Sequence, residues 1–134
     1  SIKGMENLDT TQVTDMSQMF SGYLNLSSLD LSHLNTDKVT NMQAMFASSL
    51  NVTSLDFSRF NTANVTNMRD MFFECERIET LDLSNFDTSK VEDMHSMFES
   101  CRALKTLDLS NFNTANVTDV QETIKWRQGL WGIR

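Results

Sequence analysis

The sequence contains no proline and only four glycines in 134 residues. These two residues make many tight turns, because glycine tolerates positive φ and proline presets the first turn position. The two cysteines, Cys75 and Cys101, are too few to build a disulfide scaffold. The chain must therefore turn by other means, and its apolar fraction of 40% is enough for a packed core.

Basic clusters and long apolar runs are also missing. The net charge is −7, whereas nucleic acids and anionic membranes attract clustered Lys and Arg, so we expect neither as a partner. No apolar stretch approaches the ~18 residues of a spanning helix, so we expect no membrane insertion. No signal-peptide pattern opens the chain. The pattern has already begun at Ser1, so we expect a piece of a longer protein.

One pattern recurs every 26 residues without a break in register. A fixed period of about 20–50 residues is typical of a solenoid, in which copies stack to share a core. The recurring positions include Thr10, Thr36, Thr62, Thr88 and Thr114; Val13, Val39, Val65, Val91 and Val117; and Phe20, Phe46, Phe72 and Phe98, with Ile124 in the last copy.

Each copy has two halves of different periodicity. The first alternates around a Leu-Asp-Leu core, as in residues 81–83, which predicts a strand. The second has apolar residues at i, i+3, i+6 and i+7, as in residues 65–72, which predicts a helix. The sequence therefore predicts an α/β, leucine-rich-repeat-like solenoid of about five 26-residue rungs, each with a short parallel strand and a short helix.

We expect residues 1–134 to form a single repeat domain. The predicted rungs are about 1–25, 26–51, 52–77, 78–103 and 104–124. The remaining segment, 125–134, contains Trp126 and Trp131. It is interpreted either as a C-terminal cap over the last open edge or as a linker.

The stretch LDLSNFDTSKVEDMHSMFESC, residues 81–101, resembles the repeat of BspA-like leucine-rich-repeat surface proteins, as found in lactobacilli, related Gram-positive bacteria and mycoplasmas. The resemblance covers residues 2 to about 120. It implies an extracellular bacterial protein, at the cell surface or cell wall, with a role in adhesion. The chain departs from the family where Tyr23, Ser49 and Arg127 occupy the cysteine column.

An aspartate recurs at the centre of each predicted strand and points away from the core. Stacked carboxylates about 4.8 Å apart repel, so each needs a partner. One interpretation is hydrogen bonding to the backbone or to nearby serines, and the other is a row of cation ligands. The absence of glycine-rich ligand loops favours the first, and we expect no metal and no cofactor. The column consists of Asp30, Asp56, Asp82 and Asp108.

Binding residues are sought where the side chain varies while the scaffold repeats. The candidates besides the aspartates are His33, Arg59, Glu79, Lys105 and Phe73. The strand face lacks the aromatic platforms of carbohydrate sites, so recognition of a protein or polymer along a flat polar ladder fits better. The family resemblance implies a host or matrix protein or glycoprotein as partner. The predicted function is a non-catalytic extracellular module for adhesion or macromolecular binding, monomeric as a fragment; the alternative is a passive stalk or spacer of a wall-attached protein.

Three further features have competing interpretations. Cys75 and Cys101 share a column, so stacking would allow a disulfide after local adjustment, although two buried thiols are favoured. The threonine column forms either a hydroxyl ladder or helix caps. His95 and the serines form no nucleophile, base and orienter set with a plausible geometry, so we predict no enzyme.

Overall fold

The computed structural model describes residues 4–22 and 26–118. Regular secondary structure in these two ranges is limited to a 3₁₀ helix at Met5–Asn7 and isolated parallel bridges. The predicted α/β fold, with a strand and a helix in every rung, is therefore wrong. The predicted cap or linker at 125–134 lies outside the described residues. The bridges join Asp15 to Asn41, Asn41 to Asn67, Asn67 to Asp93, and Ser28 to Ser54.

Successive repeats nevertheless lie in adjacent layers, because every bridge joins residues 26 apart in sequence. Val39, Val65 and Val91 precede three bridged residues by two positions and are fully buried. We call the repeats coil one (to residue 25), coil two (26–51), coil three (52–77), coil four (78–103) and coil five (from 104). Stacking shares one apolar core among all of them.

The segment predicted to be helical is a chain of short turns. In coil two the Met45 N–H donates to the Met42 carbonyl at 3.2 Å, and the Ser49 N–H donates to the Phe46 carbonyl at 3.3 Å. The third residue of each turn is left-handed, with φ of 53° at Ala44 and 59° at Ser48. A left-handed residue cannot continue a right-handed helix. The same conformation recurs at Gln18, Asp70 and Ser96, and at Gly22, Glu74 and Ser100.

Alternate backbone N–H groups of this segment donate to the next coil instead of to an i−4 carbonyl. A helix would use these donors internally and leave the layers unbonded. An isolated helix of about eight residues would also be marginal in water. From coil two to coil three the bonds run from Met42 to Asn67 (2.9 Å), Ala44 to Arg69 (2.8 Å), Phe46 to Met71 (3.0 Å) and Ser48 to Phe73 (2.7 Å).

The segment predicted to be a strand has the expected burial but no ladder. Leu81 and Leu83 are buried and Asp82 between them is exposed, as alternation requires. The Asp82 carboxylate, however, accepts the N–H of Ser84 at 3.0 Å. This Asx turn ends the extended run after a few residues, so the alternating side chains are preserved without a sheet.

Asx turns replace the missing glycine and proline. In each, the side-chain oxygen of Asp or Asn accepts the N–H two residues later. Three such columns run through the stack, so each complete coil bends at three defined places. The turn residues are Asp30, Asp56, Asp82 and Asp108; Asp9, Asn35, Asn61, Asp87 and Asn113; and Asp15, Asn41, Asn67 and Asp93.

The threonine column is a hydroxyl ladder, which confirms one of its two interpretations. The Thr36 hydroxyl donates to the Asn61 carbonyl at 2.9 Å and accepts the Asn61 N–H at 2.8 Å. Thr10, Thr62 and Thr88 repeat both bonds to the following coil. Each buried hydroxyl therefore satisfies one donor and one acceptor of the next layer.

The core is a column of phenylalanine rings packed beside methionines. Phe20, Phe46, Phe72 and Phe98 stack nearly parallel, with successive centroids 5.7, 5.8 and 5.8 Å apart. Phe57 packs edge-on against Phe46 and Phe72 at 5.6 Å. Offset-stacked and edge-on pairs are the favoured ring geometries, so the rings align the coils as well as fill the interior.

Candidate binding surfaces

The aspartate face is formed by Asp30, Asp56, Asp82 and Asp108, all exposed. Asp30 accepts the Ser32 N–H at 3.0 Å and the Ser32 hydroxyl at 2.6 Å, and Asp82 accepts the same two groups of Ser84 at 3.0 and 2.6 Å. Asp56 and Asp108 each accept the corresponding N–H at 2.9 Å. Hydrogen bonding to serines of the same coil is therefore the interpretation that the contacts support.

These hydrogen bonds favour the charged form of the aspartates. The Ser32 hydroxyl, followed by the Ser32 N–H, lowers the pKa of Asp30, and Ser84 does the same for Asp82. The Ser58 N–H is the larger cause of the lowered pKa of Asp56, and Arg59 adds to it. The face therefore carries a row of ionised carboxylates at neutral pH.

Three residues after each aspartate lies a second column, whose side chains make different contacts in different coils. Asn85 donates its side-chain amide to the carbonyls of Phe57 (3.1 Å), Ser58 (3.4 Å) and Phe60 (2.6 Å) in the preceding coil. Asn111 makes the equivalent three bonds, to Leu83, Ser84 and Phe86. We call this arrangement the asparagine clamp. Sequence reasoning missed it, because the bonded carbonyls are close only in the folded stack.

In coils two and three the same column holds His33 and Arg59, both exposed. The His33 Nε2 lies 3.7 Å from Asp30 Oδ2, and the Arg59 charge acts on Asp56. Within the described residues, neither side chain makes a hydrogen bond to the coil before it. Their contacts are with the aspartate face, so the predicted residues 30, 33, 56 and 59 lie together.

Shallow depressions separate successive aspartate turns. One of 70 Å³ is lined by Asp30, Ser32, Asp56 and Arg59, among others. Its neighbour, of 260 Å³, lies between the turns of Asp56 and Asp82. Both are below the roughly 300–1,000 Å³ of an enclosed small-molecule site. Their size suits side-chain tips of a larger partner.

Glu79 and Lys105 are exposed, each three residues before an aspartate of the face. No ion pair joins them to each other or to the aspartates in the described part of the chain. Their link to the aspartate face is thus only their proximity along the chain. Their predicted role in binding stays a prediction.

Phe73 is partly buried and lies on the turn segment of coil three. It belongs neither to the core nor to the partly buried apolar side chains packed against that core. Its column holds Ser21, Ala47 and Glu99 in other coils, so the repeat does not require an aromatic residue there. Phe73 is therefore a partly exposed aromatic side chain outside the core cluster.

Charged residues that sequence reasoning did not select surround Phe73. The Phe73 N–H donates to the Asp70 carbonyl at 3.1 Å, and the Arg69 Nη1 lies 3.5 Å from Asp93 Oδ2. Burial raises the pKa of Asp70, while Arg69 and His95 oppose that rise. The sequence could have pointed to these residues, because position 69 varies between coils and is matched by Ser17, Gln43 and His95 in others.

The cysteines are two free, fully buried thiols, as favoured. The Cys75 thiol donates to the Phe46 carbonyl at 3.2 Å, and the Cys101 thiol donates to the Phe72 carbonyl at 3.1 Å. Ser49 makes the same bond to the Phe20 carbonyl. Burial raises the pKa of Cys101 to about 12 and that of Cys75 further, so neither thiol is a ready nucleophile.

Within residues 4–22 and 26–118, no group of three or more His, Cys, Asp or Glu side chains is arranged to hold a metal ion. No helix in the same ranges has the length and apolar character needed to cross a bilayer.

Stacked coils with repeated internal columns define this chain as a repeat protein. It belongs to the family described as "Mycoplasma protein of unknown function, DUF285", whose sequence model matches residues 1–80 and 52–128. The matches overlap because a periodic sequence can be aligned in more than one register. No curated protein and no solved structure matches the chain. The mycoplasma-type repeat family is thus confirmed, whereas the BspA-like leucine-rich-repeat assignment stays a prediction.

Proposed function

We propose that the chain is a non-catalytic repeat module of a bacterial surface protein, related to the BspA-like leucine-rich-repeat proteins, and that it binds macromolecules through the aspartate face. The extracellular location and the host or matrix partner come from the family resemblance. The observation that supports binding is that one column holds asparagine in coils four and five, at Asn85 and Asn111, but His33 and Arg59 in coils two and three.

The asparagine clamp is a stabilising device that two coils lack. A hydrogen bond contributes about 0.5–1.5 kcal/mol to stability, and one asparagine amide reaches three carbonyls of the preceding coil. Arg59 and His33 make no such bonds to the described residues. Proteins commonly retain a less stable residue where function requires it. Positions 33 and 59 are therefore where surface chemistry outweighs scaffold stability.

The chemistry at this surface suits a polar macromolecule. One guanidinium and one imidazole lie among regularly spaced carboxylates, so the face offers both signs of charge. Complementary charges increase association rate and specificity more than affinity. The small depressions between turns accept protruding side chains of a partner, whereas a free metabolite would remain solvated there.

The substitution Arg59→Asn separates binding from stability. We expect it to restore the clamp, to raise the melting temperature, and to reduce binding of the full chain to immobilised mucin, matrix protein or host cells. The matched control is Arg77→Asn, which removes an exposed arginine elsewhere and should change neither. If wild-type chain shows no saturable binding across this panel, the proposal fails and the passive stalk or spacer replaces it.

A further inference from the structure

We propose that Phe73 is the centre of a second contact surface that takes a basic amphipathic segment of a protein partner. We call this surface the Phe73 patch and define it as Phe73, Asp70, Glu74, Glu99 and the Arg69–Asp93 pair. It lies on the turn segment, away from the aspartate turns along the coil. It is independent of the function proposed above.

The aromatic side chain of Phe73 supports this contact surface. The other described phenylalanines lie in the core or pack against it, whereas Phe73 does neither. Aromatic residues remove a large apolar area from water on binding and are enriched among residues that dominate interface energetics. Ala47 in the same column is buried, but Ser21 and Glu99 are polar, so the repeat does not reserve this position for a core aromatic residue.

Negatively charged side chains lie around Phe73. Asp70, Glu74 and Glu99 are carboxylates, and the nearest cation, Arg69, already faces Asp93. In coils one and two the positions equivalent to Asp70 and Glu74 hold Gln18, Ala44, Gly22 and Ser48. Among residues 4–22 and 26–118, the carboxylates of this rim thus come from coils three and four, beside the aromatic residue. A partner with Lys or Arg next to an apolar side chain complements it.

Hydrogen bonds to the neighbouring coils fix the backbone of the patch. The N–H groups of Asp70, Phe72 and Glu74 donate to coil four at 3.0, 2.9 and 2.9 Å, and the Phe73 carbonyl accepts the Ser48 N–H at 2.7 Å. The Ser48 hydroxyl also lies 3.0 Å from Glu74 Oε1. A preorganised surface loses little conformational entropy on binding. The patch can therefore hold a short segment without rearrangement.

The test uses the full chain and a random seven-residue peptide library displayed on phage. Peptides selected on wild-type chain and depleted on Phe73→Ala should be enriched in Lys or Arg next to an apolar residue. A synthetic peptide of the selected sequence should bind at least tenfold more weakly to Phe73→Ala and to Glu99→Lys. Binding should also weaken with salt, since the rim contributes charge.

Two controls make the outcome decisive. Glu92→Lys reverses an exposed charge outside the patch and should leave peptide affinity unchanged, as should Arg59→Asn on the aspartate face. Unchanged melting temperatures would show that the patch variants remain folded. The proposal is overturned if no peptide is enriched, if the enriched peptides are acidic, or if Phe73→Ala binds them as well as wild type.

Discussion

Coil one and the inner coils place the same side chains in different environments. Val39 and Met45 in coil two are fully buried, whereas Val13 and Met19, one period earlier, are only partly buried. Leu8 is 47% exposed, but Leu34 in the next coil is 4% exposed. Met16 and Phe20 of coil one remain buried, so the loss of burial in this coil is confined to some of its columns. Stability belongs to the junctions between coils more than to any one coil.

The largest expected effect on stability comes from replacing a methionine of an inner coil by alanine, compared with the same change in coil one. Met71 is fully buried between coils two and four, so Met71→Ala should lower the free energy of unfolding by about 2–5 kcal/mol. Met19→Ala, the same change in coil one, should cost clearly less because part of that side chain is already exposed. Urea denaturation followed by circular dichroism measures both. Equal losses would contradict the shared-burial explanation.

The threonine ladder tests how much polar side chains contribute to the stability of the junctions between coils. Thr62→Val removes a hydroxyl that donates to the Asp87 carbonyl at 3.0 Å and accepts the Asp87 N–H at 2.8 Å. Both backbone groups lose a partner, so we expect a loss of about 1–3 kcal/mol in urea denaturation. Thr80→Val, which changes an exposed threonine of coil four outside the ladder, is the matched control and should be nearly neutral.

The period, the buried columns and the threonine ladder could be predicted because identical residues at one spacing must share an environment. The helix could not be excluded, since spacings of three and four residues fit a helix and a series of turns equally well. The deciding feature is positive φ at positions such as Ala44 and Ser48, which neither residue type indicates. The strand alternation predicted burial correctly, but Asp82 and its equivalents end the extended run.

The candidate sites, like the fold, could be predicted only in part from the sequence. Column variation led to Arg59 and Phe73, both on the surface in the structure. Arg59 stands out only when it is compared with Asn85, which clamps the preceding coil from the same column. That clamp could not be predicted, because its three carbonyls come close together only in the folded stack.

The smallest expected effect concerns the Asx turns. Their contribution to stability should be similar in coil one and in the inner coils. Asp9 and Asp82 are both exposed, and hydroxyl bonds from Thr11 and Ser84 lower their pKa from 3.8. A lowered folded-state pKa stabilises the fold above the unfolded pKa, and that contribution is lost as pH falls through the folded value. The melting temperature should therefore decline below about pH 4.

Asparagine can form the same turn without titrating, as Asn35 and Asn61 do in this chain. Asp9→Asn and Asp82→Asn should each weaken the decline below pH 4 by a similar small amount while leaving the melting temperature at pH 7 nearly unchanged. Thermal melts between pH 2 and pH 7 measure this. A markedly larger effect at Asp82 would mean that layer position matters at the surface as well, and the contrast between the end and the interior would extend beyond the core.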